Sequence, residues 1–234
     1  MDMTILFNAL LSTGNPVLPH PAAMRVALHL VWAIVLGSGV LLATGKLARS
    51  SQLGLSGLVI LWTLLPGSVS PAYWLGLAFQ TPSLTSAVLC LGWFLNRRGQ
   101  VPGTEVSQAS VSMGALKILA GAGIALGWVL LLDTLALLPL SVYAWGFSAA
   151  ALGAVAAFAA LLWAVWGRAE SSRRGRAPVL LWCGLALFVL TRLPTGNVWD
   201  ALIDPWLWAG LQVGWLVSAV RQMKAKRLPA ATRA

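Results

Sequence analysis

One arginine and three aspartates are the residues of this chain best able to do chemistry. Arg192, Asp200 and Asp204 fall within Arg192-Leu-Pro-Thr-Gly-Asn-Val-Trp-Asp-Ala-Leu-Ile-Asp-Pro-Trp206, and Asp133 ends an apolar run further upstream. Asp200 and Asp204 are four apart, so a helical turn puts both carboxylates on one face. Paired carboxylates act as acid and base, or hold a cation, where their surroundings pull their pKa values apart. Asp204 also has a plainer reading, as the cap of a helix that opens at Pro205. In that reading Asp200 opens the short turn; it is the freer of the two, and Arg192 is its expected partner, in a structural ion pair or an anion-binding corner.

A second candidate is a polar pair in apolar surroundings. His29 lies about 10 Å along its apolar run at about 1.5 Å per residue. An ionisable side chain at membrane depth is a functional hypothesis by default, and Gln212 is the expected hydrogen-bond partner. No cofactor is expected. His20, the other histidine, is on the same segment and near its surface end, so the two are badly placed to sandwich a haem. Cys90 and Cys183 sit inside apolar runs without CxxC spacing, which suggests neither a disulfide framework nor a zinc site. No Walker, HExxH or GxGD pattern occurs.

The elements that must position these residues read as membrane spans. Of 234 residues, 59% are hydrophobic and 9% charged, with mean hydropathy +0.81. A soluble domain carries about 25% charged residues. A bilayer core of about 30 Å asks for about 20 apolar residues. The runs that answer are residues 22–44, 53–65, 82–95, 113–132, 143–166, 178–193 and 205–220. Ser70-Pro71 and Thr81-Pro82 each place a capping residue before a proline, so residues 71–80 read as a short surface helix and span three opens at Pro82. The fold class is therefore all-α: one membrane domain, a polytopic bundle of about seven transmembrane helices (22–220), with an N-terminal segment (1–21) and a basic tail (221–234). Residues 1–18 carry acidic Asp2 and only a short apolar run, so no cleaved signal peptide is expected.

Charge gives the orientation. Lys46, Arg49, Arg97, Arg98, Lys117, Arg168, Arg173, Arg174, Arg176 and the tail residues Arg221, Lys224, Lys226, Arg227 and Arg233 all fall on one side under alternating threading. Arg25 and Arg192 are left on the other. Asp2, Asp133, Asp200 and Asp204 sort away from the basic side, and only Glu105 and Glu170 lie on it. The positive-inside rule puts the N-terminus outside and the C-terminus in the cytoplasm. The net charge of +10 is thus topological, and nucleic acid drops out as a partner.

Gly123-Ile-Ala-Leu-Gly127, Gly210-Leu-Gln-Val-Gly214 and the ridge Ala149, Gly153 and Ala157 suit close helix packing in lipid, within the chain or in a homo-oligomer. Trp74, Trp93, Trp145, Trp166, Trp199 and Trp206 fit an interfacial belt; Trp62 and Trp128 read as deeper. Residues 4–11, 71–80, 133–143 and the loop after Leu193 make an apolar, proline-marked outer face. The tripeptide Thr-Gly-Asn occurs there twice, at 13–15 and 195–197.

Gly54-Leu-Ser-Gly57 is similar to the GxSG of rhomboid-type intramembrane proteases, whose serine is activated by a histidine on another span. Here Ser56 falls at the cytoplasmic mouth of span two, His29 in the outer half of span one, and no histidine follows. Nucleophile and base must lie within hydrogen-bond reach, so the resemblance implies no protease. Seven helices with an outside N-terminus also resemble rhodopsins, but residues 205–220 contain no lysine for retinal.

Composition rich in Leu, Ala, Gly, Trp and Arg resembles a high-GC bacterial genome, which makes the bacterial cytoplasmic membrane the expected location. The expected function is a non-catalytic subunit or scaffold that docks a membrane-protein partner on the apolar outer face. The alternatives are a small-solute or lipid transporter using His29 and Gln212, and an enzyme acting on a lipid-linked substrate at the outer leaflet through Arg192, Asp200 and Asp133.

Overall fold

The computed structural model describes residues 3–14, 16–98, 113–166 and 176–227. Asp2, Asn15, Glu105, Arg168, Glu170, Arg173, Arg174 and Arg233 lie outside them. Among the described residues the fold is all-α, without strands. In chain order the helices are α1 (Met3–Leu11), α2 (Pro21–Ala43), α3 (Arg49–Thr63), α4 (Pro71–Phe79), α5 (Leu84–Arg98), α6 (Met113–Thr134), α7 (Val142–Trp145), α8 (Ala149–Trp166), α9 (Arg176–Thr191), α10 (Val198–Leu202) and α11 (Pro205–Arg227).

Local chemistry sets most of these boundaries. Pro21 and Pro71 open their helices behind His20 and Ser70, whose side chains accept from the Ala22 and Ala72 N–H groups; proline has no N–H to lose there. Two starts differ from the sequence reading. Ser83, not Thr81, caps α5: its Oγ accepts from the Ser86 N–H at 3.1 Å. The single run expected over 143–166 is broken into α7 and α8, because Ser148 Oγ caps α8 through Ala151 N–H. The Gly146 carbonyl serves a different element, accepting from Val198 N–H at 3.0 Å.

Among the described residues two helices, Pro21–Ala43 and Leu116–Thr134, are long and apolar enough to cross a membrane. The count of about seven is not met on length: α3 and α5 have 15 residues and α9 has 16, short of the roughly 20 that a bilayer core asks for.

Helix α2 packs against α3 and α5, α5 against α9, and α9 against α8, while α6 pairs with α11. The main core lies between α5, α8 and α9 around Phe188, Leu162 and Leu185, closed at one end by Val198 and Trp199 of α10. The expected small-residue ridge on α8 is rotated. Ala151, Val155 and Ala159 are buried, whereas Ala149, Gly153 and Ala157 are exposed. Of the two GxxxG spacings, Gly123 and Gly127 hold α6 against Leu211 and Trp208 of α11, and Gly210 and Gly214 meet nothing within 4 Å. Close approach follows where a side chain fills the gap the glycine leaves.

Candidate functional site

Every long helix has one end at a common cap built from α4, α7, α10 and the turn 192–197. The opposite end collects Lys46, Arg49, Lys117 and Arg221. The stretch Arg192–Trp206 runs through the middle of the cap.

Asp204 is its most heavily used side chain. Oδ1 accepts from the Trp206 and Leu207 N–H groups, each at 2.9 Å, and so caps α11. Oδ2 accepts from Ser83 N–H at 2.9 Å, Ser83 Oγ at 2.7 Å and Ser86 Oγ. One carboxylate therefore faces the N-termini of two helices, where partial positive charge favours an anion. The capping role expected of Asp204 is present, and α5 shares it.

Asp200 has other company. Its Oδ2 accepts from Tyr143 Oη at 2.8 Å and from Thr195 Oγ1. Asn197 completes the joint: Oδ1 caps α10 through Trp199 N–H and Nδ2 donates to the Tyr143 carbonyl, both at 2.9 Å. Trp199 Nε1 donates to the Val142 carbonyl. Asp133 accepts from Tyr143 N–H at 2.6 Å. Tyr143 thus links two of the four candidate residues. The turn before it is tight: Gly196 has φ +85, and a Cβ there would sit 2.8 Å from the Val17 carbonyl, so the N-terminal segment lies against it.

The expected groupings do not form. Asp200 and Asp204 do not share a face, because α10 ends at Leu202 and Ile203 is extended; the residue before a proline, here Asp204, resists helical geometry. No ion pair joins Arg192 to Asp200. Arg192 adopts a left-handed conformation (φ 56) at the end of α9 and lies over the Phe188 ring, 5.4 Å from its centroid. His29 and Gln212 are not partners either. His29 Nδ1 lies 2.9 Å from the Thr63 carbonyl and 3.3 Å from Ser70 Oγ, while Gln212 Nε2 turns back to the carbonyl of Trp208 on its own helix. Trp62, read as deep, stands at the cap end of α3, its Nε1 donating to Val69. Ser56 donates to the Gly37 carbonyl, which ties α3 to α2.

The difference between His29 and Gln212 is measurable. His29→Leu removes one hydrogen bond to the Thr63 carbonyl, which keeps the Ser70 hydroxyl as donor, and is expected to cost about 0.5–1.5 kcal/mol. Gln212→Leu removes only a long bond within one helix and stays within about 0.5 kcal/mol. Thermal unfolding of the two variants in one detergent checks the order.

Sequence reasoning missed Tyr143, Ser83, Ser86, Asn197 and Ser70 as site members. A signal existed for two: Ser83-Leu-Thr-Ser86 repeats hydroxyls at one-turn spacing where α5 begins. Nothing in sequence separation points from Tyr143 to Asp200.

Among the described residues no buried side-chain N or O lacks a partner, and no three His, Cys, Asp or Glu side chains converge as metal ligands would. No family model matches this chain, and no curated protein or solved structure matches it.

Burial first, then the charge of Asp200 and the hydrogen bond to it, push the Tyr143 phenol above its ordinary pKa. The sign follows from which form is held: the neutral phenol donates to the carboxylate, and the phenolate would repel it. Its contribution to stability is complete below about pH 10, the ordinary tyrosine value, and is lost as pH rises toward the raised one. The chain has two tyrosines, so Tyr73→Phe leaves Tyr143 as sole reporter. Phenolate absorbance is expected to stay absent at about pH 10, and Asp200→Asn is expected to move its onset down.

Proposed function

We propose that the chain is a seven-span protein of the bacterial cytoplasmic membrane, cap outward, serving as a non-catalytic subunit that docks a membrane-protein partner on its cap. In this reading α2, α3, α5, α6, α8, α9 and α11 are the spans, and the shorter ones are made up at the cap by α4, α7 and α10. The observation that carries it is the state of the carboxylates. Asp133, Asp200 and Asp204 are each engaged by backbone or hydroxyl donors, which suits holding a surface in shape better than moving protons. Around them the cap shows apolar side chains: Leu18, Val69, Trp74, Leu77, Leu137 and Leu140 are all at least 60% exposed. In this reading they meet the partner, as large exposed apolar patches do.

Site-directed photocrosslinkers at Trp74 and Leu140 test the docking, with blue-native gels in mild detergent as the second readout. A discrete heteromeric band at cap positions, and none from exposed positions on α11 such as Val213, supports the proposal. A protein that runs alone and yields no crosslinked partner rules it out. Reporter fusions at residues 46 and 136 test the orientation; an exported residue 46 would reverse it.

A further inference from the structure

Between the α6–α11 pair and the rest of the bundle lies a half-enclosed cavity of about 540 Å³. Its walls come from α5, α6, α8, α9 and α11, and Trp199 and Leu202 of α10, with the adjoining Ile203, lie across the cap end. We infer that this cavity holds one hydrocarbon chain of an anionic phospholipid from the leaflet on the basic side, with the headgroup beside Lys117. The inference rests on the membrane reading above.

Three observations converge. First, the space has the volume of a ligand cavity, while close-packed interiors leave few voids larger than a water. Second, its chemistry refuses polar contents. Thr85 supplies the hydroxyl in the lining, and that hydroxyl already donates to the Ala201 carbonyl; the indole N–H of Trp199 is taken by Val142. Apolar cavities stay dry and take apolar guests, and in a bilayer the abundant apolar guest is a lipid tail. Third, its length and polarity fit one leaflet. From Leu116 to Leu126 along α6 the wall rises about 15 Å, half of a hydrocarbon core of about 30 Å. The cap end is closed by α10, so a tail enters from the other end. There Lys117, exposed and next to the lining residue Leu116, meets the headgroup; a lysine ammonium suits a phosphate as a point charge.

The test uses the full chain reconstituted into vesicles of equal phosphatidylglycerol and phosphatidylcholine, re-extracted in mild detergent and weighed by native mass spectrometry. The wild type is expected to retain one phosphatidylglycerol. Ala120→Phe with Ala154→Phe, which fills the cavity, is expected to lower that occupancy about tenfold, a change of about 1.4 kcal/mol. Lys117→Glu, at an exposed position, keeps the tail site and loses the preference for phosphatidylglycerol, which covers the case in which the filled variant does not fold. Retention undiminished by filling, no retained lipid, or equal retention of the two lipids by the wild type overturns the inference. Failure of the membrane reading shows separately, as protein released from vesicles by an alkaline carbonate wash.

Discussion

Asp204→Ala is expected to lower the melting temperature by about 10 °C, the largest effect of any single truncation at the cap. The residue is buried and its carboxylate takes bonds from Trp206, Leu207, Ser83 and Ser86. Loss of a capping side chain alone costs about 1 kcal/mol. Hydrogen bonds to a charged group add about 1.5–3 kcal/mol, and the buried Ser83 N–H and Ser86 hydroxyl lose their acceptor, while Ser83 Oγ keeps Ser86 Oγ. A total of about 3–5 kcal/mol corresponds to about 10 °C or more for a chain of this size. Asp204→Asn divides the sum. Asparagine caps as well as aspartate, so α11 keeps its start, but the amide nitrogen cannot accept from Ser83 and Ser86. Most of the loss therefore persists in Asp204→Asn. Circular dichroism during heating in one detergent reads both variants. An asparagine variant that melts with the wild type would show that α5 draws nothing from this carboxylate.

Gly146→Ala is the second large effect, and it adds a single methyl. A Cβ on Gly146 would stand 2.0 Å from Asn197 Oδ1 and 2.4 Å from Trp199 Cδ1. Neither neighbour is free to retreat. Asn197 is fully buried and bonded at both ends of its amide, and the Trp199 indole is fixed to Val142. Overpacking a tight site costs about 1–3 kcal/mol, and a broken bond at Asn197 about 1 kcal/mol more. Gly153→Ala and Gly210→Ala are the controls. Nothing lies within 4 Å of either position, and alanine is the better residue inside a helix by about 0.5–1 kcal/mol. The expected order of melting is Gly146→Ala well below the wild type and both controls level with it or above. A local readout accompanies the global one: with Asn197 displaced, Tyr143 loosens from Asp200 and its phenolate appears at lower pH.

The helices could be read from the sequence because apolar length and Ser-Pro punctuation are local properties. α2 and α6 begin at or within one residue of where apolar length puts them, and α4 and α11 where Ser70-Pro71 and Asp204-Pro205 do. The start of α8 was hidden, since residues 143–166 are apolar throughout and only Gly146 and Ser148 mark the break. Crossing numbers were less secure for a related reason: a helix of 15 residues can be apolar from end to end and still fall short of a bilayer. Asp204 was readable as a cap because Pro205 follows it. The partners of Asp200 and His29 were not, because they are set by which helix lies beside which. Charge sorting orders the ends of helices along one axis and says nothing of neighbours around it. α3 stands beside α2, so His29 finds a carbonyl of Thr63; α7 lies against α10, so Asp200 finds a phenol in place of Arg192.

The bond between Ser83 and Asp204 spans 121 residues, and that separation has a consequence for biogenesis. At about 5–20 residues per second the ribosome delivers Asp204 on the order of ten seconds after Ser83. Through that interval the Ser83 N–H and the Ser86 hydroxyl are without the carboxylate that accepts from them, and α10 has yet to emerge. Closure waits for Asp204, so nascent chains released before that residue are open at one end, and those are the molecules on which quality-control proteases would act.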